Sequence, residues 1–347
     1  MPYYKLLIQK KRRKMAVKIS IISALIVFLA LLSLSHFSYG ELRLGFYSKS
    51  CPGVEETVFR VVKKAFSDNS TLAPLMIRLY FHDCFSNGCD ASLLLDSTTS
   101  PTEKKAGPNL SVDGYALIDA VKDELEINKC PGVVSCADII ALVTRDLVDL
   151  ASGRKIRYEI PTGRFDGRES LASTVDLPGP QMSVSDTFKM FEKRKLSLTD
   201  MVVLLGGHTI GVAHCSFIMD RLYNFKNTGK PDPSMDPTLV EQLREKCPED
   251  SSAGRVINLD QDVLSSNIVD ASFYKQIKSR RGILHIDQLL ATDEMTKQIV
   301  TDLAEGNDFL ARFGQAMVNL GSVGVKDKDT GEVRTSCRAC KNMFCTI

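Results

Sequence analysis

The chain has 347 residues, of which 44% are hydrophobic and 25% are charged, a composition typical of globular proteins rather than of disordered or fibrous ones. Its net charge is +2, but residues 1–40 contain seven Lys or Arg and no acidic residue, which leaves 37 basic and 42 acidic residues in the remainder. The remainder is therefore acidic overall, which argues against a protein that binds nucleic acid through its net charge.

A basic segment and an apolar run open the chain. The run ISIISALIVFLALLSLS precedes the small-residue stretch SHFSYG, which is the order of a secretory signal peptide, and we expect cleavage near Gly40. The alternative is an uncleaved membrane anchor, although the run is just shorter than the about 20 residues of a usual span. Met15 is an alternative start. We therefore predict a signal peptide at 1–40 and one domain at 41–347.

The next signals in chain order are helical. Eight segments have apolar residues three or four positions apart, as amphipathic helices do. They are TVFRVVKKAF, STLAPLMIRLYF, YALIDAVKDELE, SCADIIALVTRDLVDLAS, VSDTFKMFEKRK, SLTDMVVLLGGH, HCSFIMDRLYNF and DFLARFGQAMVNLG. Helix starts are expected at Ser135, at Ser185, and at Ser197 with Asp200 three residues on.

Strand signals are weak and confined to short stretches such as YEIPTGR. Long loops rich in Gly, Pro, Ser and Asp are expected at 86–114, 161–184 and 226–270. The sequence therefore predicts a single, mainly α domain.

All ten cysteines follow the signal segment, at positions 51, 84, 89, 130, 136, 215, 247, 337, 340 and 345. They are not arranged in the repeated C-x-x-C pairs of zinc sites. An even number of cysteines in an oxidising compartment favours a disulfide framework.

Arg78 and His82 are four residues apart in a helical pattern, so both side chains lie on one face. A cation beside an imidazole suits the cleavage of a bond that leaves negative charge. A satisfied surface pair is the alternative interpretation.

Two segments carry alternating carboxylates and hydroxyls. The first, with the pattern D-x-x-x-x-G-x-D-x-S, begins at Asp83, and the second spans Asp262–Asp270. Ca²⁺ takes six to eight oxygen ligands, so each segment is a candidate calcium loop, the second together with Thr209. Solvated acidic turns are the alternative. His208, which precedes Thr209, ends an apolar helix and is a candidate ligand or a core residue.

Taken together, these motifs resemble the secreted plant (class III) haem peroxidases of the horseradish type. The segments that carry the resemblance follow the family order: FYSKSCPGVE, RLYFHDCFSNGCDASLLLDS, TEKKAGPN, VSCADIIAL, PTGRFDGR, LLGGHTIG, FIMDRLYNF, VDASFYKQI and DQLL. The resemblance covers essentially the whole chain after the signal segment. It implies a mainly α haem-peroxidase fold with minor β structure and haem between a distal and a proximal helical half.

On the distal side, the resemblance makes His82 the general base and then the general acid for H2O2, and it makes Arg78 the cation that stabilises the departing oxygen. It implies that Asn109 accepts a hydrogen bond from His82, that Glu103 supports Asn109, and that Phe81 covers the haem edge.

On the proximal side, the resemblance makes His208 the axial ligand of haem b, with Asp287 as its hydrogen-bond partner. The reaction implied is reduction of H2O2 through a ferryl porphyrin-radical intermediate, followed by one-electron oxidation of two small phenolic donors. Pro178 is implied as a backbone contact for those donors.

The resemblance also implies two Ca²⁺ ions. The distal ligands are Asp83, Ser86 (carbonyl), Gly88 (carbonyl), Asp90 and Ser92. The proximal ligands are Thr209, Asp262, Ser265, Ile268 (carbonyl) and Asp270.

The disulfide pairs implied by the resemblance are Cys51–Cys130, Cys84–Cys89, Cys136–Cys337 and Cys215–Cys247. Cys340 and Cys345 remain, and a fifth bridge, free thiols or an intermolecular bond are all consistent with the sequence. Asn69 begins the glycosylation motif Asn-Ser-Thr.

Together, the motifs and the resemblance predict a secreted, monomeric peroxidase of the cell wall or apoplast rather than of the vacuole. We expect no nucleic-acid partner and no stable membrane association after signal cleavage. A catalytically silent wall protein is a rival, but the intact set Arg78, His82, Asn109, His208 and Asp287 argues against it. Phe165 and Asp113 stand where the family usually has arginine. The two other histidines after the signal segment, His214 and His285, are expected to be surface or loop residues.

Overall fold

A computed structural model describes residues 42–250, 254–341 and 345–346 of the chain. The predicted signal segment at 1–40 lies outside the described residues. The described part is mainly helical, with one two-stranded sheet, and the mainly α fold class is confirmed. None of its helices combines the length and apolarity that crossing a membrane requires.

The helices of the first half of the chain are α1 Val54–Asp68, α2 Leu72–Ser86, α3 Tyr115–Asn128, α4 Cys136–Ala151, α5 Val184–Lys193 and α6 Leu198–Leu205. Those of the second half are α7 Met219–Tyr223, α8 Pro237–Lys246, α9 Ser272–Lys278, α10 His285–Leu290, α11 Lys297–Glu305 and α12 Phe309–Leu320. The sheet is antiparallel and consists of β1 Val212–His214 and β2 Val256–Asn258.

Helix α4 is the centre of the main hydrophobic core, and almost every one of its side chains is buried. Helices α1 and α2 both pack on it. The hydroxyl of Thr144 on α4 donates to the carbonyl of Met76 on α2 at 3.3 Å. Helix α2, which contains Arg78 and His82, is therefore held against the rigid centre of the protein.

Two of the three expected helix starts have the cap that their sequence indicates. Ser135 accepts a hydrogen bond from the backbone of Asp138, and Ser197 forms a reciprocal capping box with Asp200. The start predicted at Ser185 is wrong by two positions, because Ser183 caps α5 and accepts from the backbone of Asp186 at 3.0 Å.

Three differences from the predicted elements concern short structures. Helix α8 lies within the region 226–270 that was expected to be loop, and it begins at Pro237 after the cap residue Asp236. The stretch YEIPTGR forms no regular strand and makes only an isolated bridge between Thr162 and Arg43. The sheet uses β1 and β2 instead, which the sequence did not indicate.

Five disulfides are present in the described residues, and no cysteine there is free. They are Cys51–Cys130, Cys84–Cys89, Cys136–Cys337, Cys215–Cys247 and Cys340–Cys345. These are the four pairs implied by the resemblance together with the fifth bridge between the remaining two cysteines. Such a framework is typical of an oxidising compartment.

Candidate active site

The His82 side chain lies on α2, and its orientation is fixed from one side. Its Nδ1 is 2.7 Å from Oδ1 of Asn109, whose Nδ2 donates to the main-chain carbonyl of Glu103 at 2.8 Å. Because the Asn109 amide donates through Nδ2, its Oδ1 accepts from His82, so Nδ1 of the imidazole carries the proton. Nε2 of His82 therefore has a free lone pair.

The pKa of His82 is lowered to about 4, mainly by burial and further by the positive charge of Arg78. The hydrogen bond to Asn109 acts in the opposite direction and raises this pKa. At neutral pH the imidazole is therefore uncharged and able to accept a proton.

Arg78 lies one helical turn before His82 and is bound to the same loop as His82. Its Nη1 donates to the carbonyl of Ser111 at 2.7 Å, and its Nη2 donates to that of Pro108 at 3.0 Å. The loop that contains Asn109 therefore orients both the cation and the imidazole. The sequence motifs had not indicated these two carbonyl contacts.

Phe81 is half-buried between His82 and an aromatic cluster. Its ring stacks on Phe85 with centroids 4.7 Å apart and lies 6.0 Å from Phe191. The ring centroid of His82 is 6.1 Å away in an edge-on arrangement. The aromatic contacts thus fix Phe81 directly beside the imidazole.

His208 lies in the short turn Gly206–Thr209 that follows α6, and Asp287 of α10 contacts it. Its Nδ1 is 2.9 Å from Oδ1 of Asp287. Burial alone would lower the pKa of His208, but the charge and hydrogen bond of Asp287 outweigh it, and the pKa is raised. Nδ1 donates to the carboxylate, which directs Nε2 away from it.

The His208 turn packs directly against α2. A Cβ at Gly207 would lie 3.3 Å from the side chain of Ile77, and one at Gly211 would lie 2.9 Å from that of Pro74. The charge of Arg78 lowers the pKa of both His82 and His208, so all three groups share one interior region.

The distal candidate calcium loop contains two buried carboxylates, Asp83 and Asp90, and the buried carboxylate of Glu103 lies beside it. Burial, and after it the charge of the neighbouring carboxylates, raises the pKa of Asp83 well above its ordinary value and that of Glu103 to about 7. One oxygen each of Asp83 and Glu103 has no hydrogen-bond donor among the described residues. Lys326 is the nearby cation, with Nζ 3.5 Å from Asp90.

The rest of the distal loop is shaped around these carboxylates. Asp83 accepts from the backbone of Ala91 at 3.0 Å, and Ser92 donates to Glu103 at 3.0 Å. Gly88 has φ +119°, and a Cβ there would lie 2.4 Å from the carbonyl of Gly324, so only glycine fits. The hydroxyl oxygen of Ser86 is buried without a partner among the described residues.

The proximal candidate loop brings most of its predicted ligands together. The hydroxyl of Thr209 lies 3.2 Å from the carbonyl of Ile268 and 3.5 Å from a carboxylate oxygen of Asp270. Asp262 connects to the same loop through the hydroxyl of Ser272 at 3.4 Å. The hydroxyl of Ser265 is buried without a hydrogen-bond partner among the described residues.

Asp260 is a further buried carboxylate beside this loop, and it was not among the residues predicted from the sequence. One of its oxygens has no donor in the described part of the chain. Burial raises its pKa, as do the charges of Asp270 and Asp262. The D-x-D spacing with Asp262 was the available signal.

Comparison with known proteins identifies the family of this chain. The family described as Peroxidase matches residues 58–306. The chain belongs to the peroxidase family. It is similar to Peroxidase 60 of Arabidopsis thaliana, with 66% identity over 95% of this chain and 100% of that protein. Peroxidase 57 and Peroxidase 28 of the same plant are 48% and 44% identical over 87% and 90% of this chain and 93% and 97% of their own lengths.

These relatives confirm the resemblance to plant class III peroxidases, and the protein is a peroxidase enzyme. The family's cofactor is haem, and the side chains here suit it. Asp287 holds Nδ1 of His208 and leaves Nε2 free. A free Nε2 is the donor atom that an axial iron ligand requires. His82 and Arg78 add a base and a cation, as a peroxide site requires.

A buried ion pair that the sequence did not indicate supports the start of α10, the helix of this peroxidase that contains Asp287. Nε of Arg221 donates to Asp232 at 2.9 Å, and both side chains are almost fully buried. Nη1 of Arg221 donates to the carbonyls of Gly282 and Ile283, at 2.8 and 2.6 Å. Arg221 therefore anchors the segment that leads into α10.

His285 was expected to be a surface or loop residue, and this expectation is wrong. It is the first residue of α10, its side chain is only 15% exposed, and its Nδ1 lies 3.6 Å from Asp232. His214, which received the same interpretation, is exposed in β1. His285 therefore belongs to the Arg221–Asp232 support.

The remaining predicted residues lie outside this core of the site. Pro178 is half-buried in the segment before α5, and the neighbouring carbonyl of Pro180 accepts from the backbone of Ile286 on α10. Asn69 is exposed at the end of α1. The backbone of Phe165 forms an isolated antiparallel β-bridge with that of Lys326. The side chain of Asp113 accepts a hydrogen bond from the backbone of Gly114.

We expect Arg221→Met to lower the free energy of unfolding by about 3–5 kcal/mol, because it leaves the charge of Asp232 buried without its partner. His285, at 3.6 Å from Asp232, lies too far to replace the lost hydrogen bonds. Urea denaturation measures the change. The double variant Arg221→Met/Asp232→Leu should recover most of the loss.

Arg312→Met is the matched control, because the Arg312–Asp308 pair is exposed and should cost less than about 1 kcal/mol. Equal losses in Arg221→Met and Arg312→Met would contradict a supporting role for the buried pair.

Proposed function

We propose that this peroxidase is a secreted haem b enzyme that reduces H2O2 and oxidises small phenolic donors in one-electron steps. The observation that carries the proposal is the hydrogen bond of 2.7 Å between His82 and Asn109, because it leaves Nε2 of a neutral imidazole free to take a proton. The Asp287–His208 contact of 2.9 Å supports the same assignment from the proximal side.

His82 acts first as base and then as acid. Its Nε2 accepts the proton from one oxygen of H2O2 and returns it to the other oxygen, which leaves as water. Nε2 of His208 would hold haem b, which would supply the two electrons for this cleavage and regain them from the donors. Asn109 holds the imidazole in the tautomer that both transfers need, and its hydrogen bond also raises the pKa of His82.

Arg78 stabilises the negative charge that develops on the departing oxygen. Its guanidinium is already fixed to the carbonyls of Ser111 and Pro108, so little side-chain ordering is required during the reaction. Its positive charge also lowers the pKa of His82, which keeps the base free of a proton at neutral pH.

Asp287 gives His208 a stronger donor nitrogen. A carboxylate that accepts from Nδ1 increases the electron density on Nε2, and iron in a high oxidation state favours such a ligand. This arrangement suits a peroxidase better than an oxygen carrier, which has no need of that electron donation.

Two Ca²⁺ ions are part of the proposal. At the distal loop, a divalent cation would neutralise the repulsion among Asp83, Asp90 and Glu103 and would use carboxylate oxygens that have no donor among the described residues. At the proximal loop, Thr209, Asp262, Ser265, Ile268 and Asp270 would be the ligands, with Asp260 as an additional carboxylate.

Other features of the chain support the proposed donor class and location. Small phenols are proposed because the family resemblance makes Pro178 a backbone contact for them, and the segment of Pro178 is tied to α10 through the Pro180 carbonyl. Secretion to the cell wall or apoplast is proposed from the signal segment at 1–40 and the five disulfides. We further propose a monomer that is glycosylated at the exposed Asn69 and does not stay associated with membranes after signal cleavage.

We expect His82→Ala to lower the second-order rate constant for H2O2 by at least about 10²-fold, because the proton is no longer taken and returned. Stopped-flow absorption of the haem-loaded ferric protein measures this constant. His214→Ala, which removes an exposed imidazole, is the control and should react as the wild type does. A wild-type protein that shows no spectral change with H2O2 would contradict the proposed function.

We expect the same rate constant in the wild type to fall about tenfold per pH unit below about 4, because protonated His82 has no lone pair to offer. Asn109→Ala removes the hydrogen bond that raises this pKa, so its rate should fall at still lower pH and its plateau should be lower. Asn307→Ala, at an exposed position, is the control. An unchanged midpoint in Asn109→Ala would assign the titration to another group.

We expect opposite effects of Asp83→Asn on stability with and without Ca²⁺. In excess Ca²⁺ the variant should be less stable than the wild type, because it loses a charged ligand. With a chelator it should be more stable by about 1 kcal/mol or more, because the repulsion among buried carboxylates is reduced.

Urea denaturation in Ca²⁺ and in chelator gives the four free energies for Asp83→Asn. Asp123→Asn makes the same change of charge on the exposed side of α3 and should show neither effect. A loss of stability that is equal in both conditions would show that Asp83 acts in packing and not in binding a cation.

A further inference from the structure

The exposed side of α1 carries a concentration of positive charge that the peroxide chemistry does not use. A cleft of about 640 Å³ runs along this helix, and its charged lining contains one carboxylate, Glu56, and several cations. The cations are Arg60, Lys63, Lys64 and Lys129. We call these four residues and the three described next the α1 basic face.

The loop that follows α4 adds Arg154, Lys155 and Arg157 beside the same helix. The guanidinium carbons of Arg154 and Arg157 lie 4.8 and 5.1 Å from the centroid of the Phe59 ring. Both contacts are within cation–π distance, so an α1 side chain holds the two arginines in place.

Only part of this positive charge is balanced locally. The three arginines Arg60, Arg154 and Arg157 face Glu124, Asp149 and Asp146, at 2.5, 3.1 and 3.6 Å. In the described part of the chain, no carboxylate lies within 4.0 Å of the ammonium group of Lys63, Lys64, Lys129 or Lys155. The other acidic residues of α1 itself are Glu55, which pairs with Arg145, and Asp68 at the end of the helix.

The excess of positive charge on this face contrasts with the net charge of the rest of the protein. After residue 40 the chain has 37 basic and 42 acidic residues, so the chain outside the seven basic residues of this face carries a net negative charge. A positive face on a negative body attracts anionic partners in one orientation.

The shape of the face indicates an extended partner. Arg60 and Ser67, which both line the cleft, are separated along the helix axis by about 10 Å at 1.5 Å per residue. The lysines are exposed point charges on flexible stems and do not form a closed pocket with buried donors. Such a strip suits a chain with repeated negative charges better than a single small anion.

We propose that the α1 basic face binds an acidic polysaccharide. The disulfide framework is typical of an oxidising compartment, where nucleic acid is not an expected partner. Basic clusters of this kind bind sulfated or carboxylated sugar chains through their charge. The inference rests on the proposed extracellular location but not on the proposed chemistry of His82.

The catalytic side chains lie on other elements. Arg78 and His82 are on α2, whereas α1 packs its buried side mainly on α4 and α3. Charge changes on the basic face should therefore leave the reaction with H2O2 unchanged. Loss of polymer binding and loss of peroxide chemistry are thus separable results.

The test measures binding of the purified, haem-loaded protein to polygalacturonate immobilised on a biosensor, at about 20 and 150 mM salt. The face variant is Lys63→Glu/Lys64→Glu/Lys129→Glu. The matched control is Lys230→Glu/Lys275→Glu/Lys328→Glu, which makes the same change of net charge at exposed positions on other elements. Circular dichroism and the rate constant for H2O2 check that both variants are folded.

We expect the wild type to bind at both salt concentrations, more weakly at the higher one, and the face variant to bind at least tenfold more weakly. The control variant should stay within about threefold of the wild type, with neutral dextran giving no signal for any protein. Equal losses in the two variants would overturn the assignment to this face. Absence of wild-type binding at 150 mM salt, or tighter binding to duplex DNA than to polygalacturonate, would overturn the assignment to an acidic polysaccharide.

Discussion

The burial of three carboxylates directly beneath helix α2, which carries Arg78 and His82, is the constraint on which the distal half of this peroxidase depends. Asp83 follows His82 in the chain, and its side chain is buried among Asp90 and Glu103. Carboxylates so close together are stable as anions only with a cation, and Lys326 at 3.5 Å from Asp90 balances one charge at most. The position of α2 is therefore coupled to whatever occupies this loop.

Glu103 connects the acidic loop to His82 through Asn109. Its side chain accepts from Asn87 at 2.7 Å and from Ser92 at 3.0 Å, on the side of the acidic loop. Its main-chain carbonyl accepts from Asn109, which in turn holds His82. A shift of the loop would therefore alter the orientation of the imidazole without any change in Arg78 or His82 themselves. Structural support for catalysis here passes through the backbone as much as through side chains.

The sequence predicted the long helices well, because periodic apolar residues determine them, and the resemblance implied the two contacts His82–Asn109 and His208–Asp287 that the structure has. It missed features that depend on distant contacts. Helix α8 is short and charged, and it is stable because Leu239 and Leu243 pack into a second core. The Arg221–Asp232 pair involves no motif that marks it as buried. Ser183 and Ser185 both precede the same helix, and only the tertiary structure selects the first as its cap.

The proximal half repeats the distal arrangement with different parts. Thr209 follows His208 as Asp83 follows His82, so each imidazole is adjacent in the chain to an oxygen that faces a candidate cation loop. The His208 turn has little room to adjust, because a Cβ at Gly206 would lie 2.1 Å from the hydroxyl of Tyr274. A histidine in so short a turn cannot be held by helix propensity, so its orientation must come from Asp287 on one side and the acidic loop on the other. His82 is thus held by a long, well-packed helix and His208 mainly by its side-chain contacts, but each imidazole is joined to a buried carboxylate system.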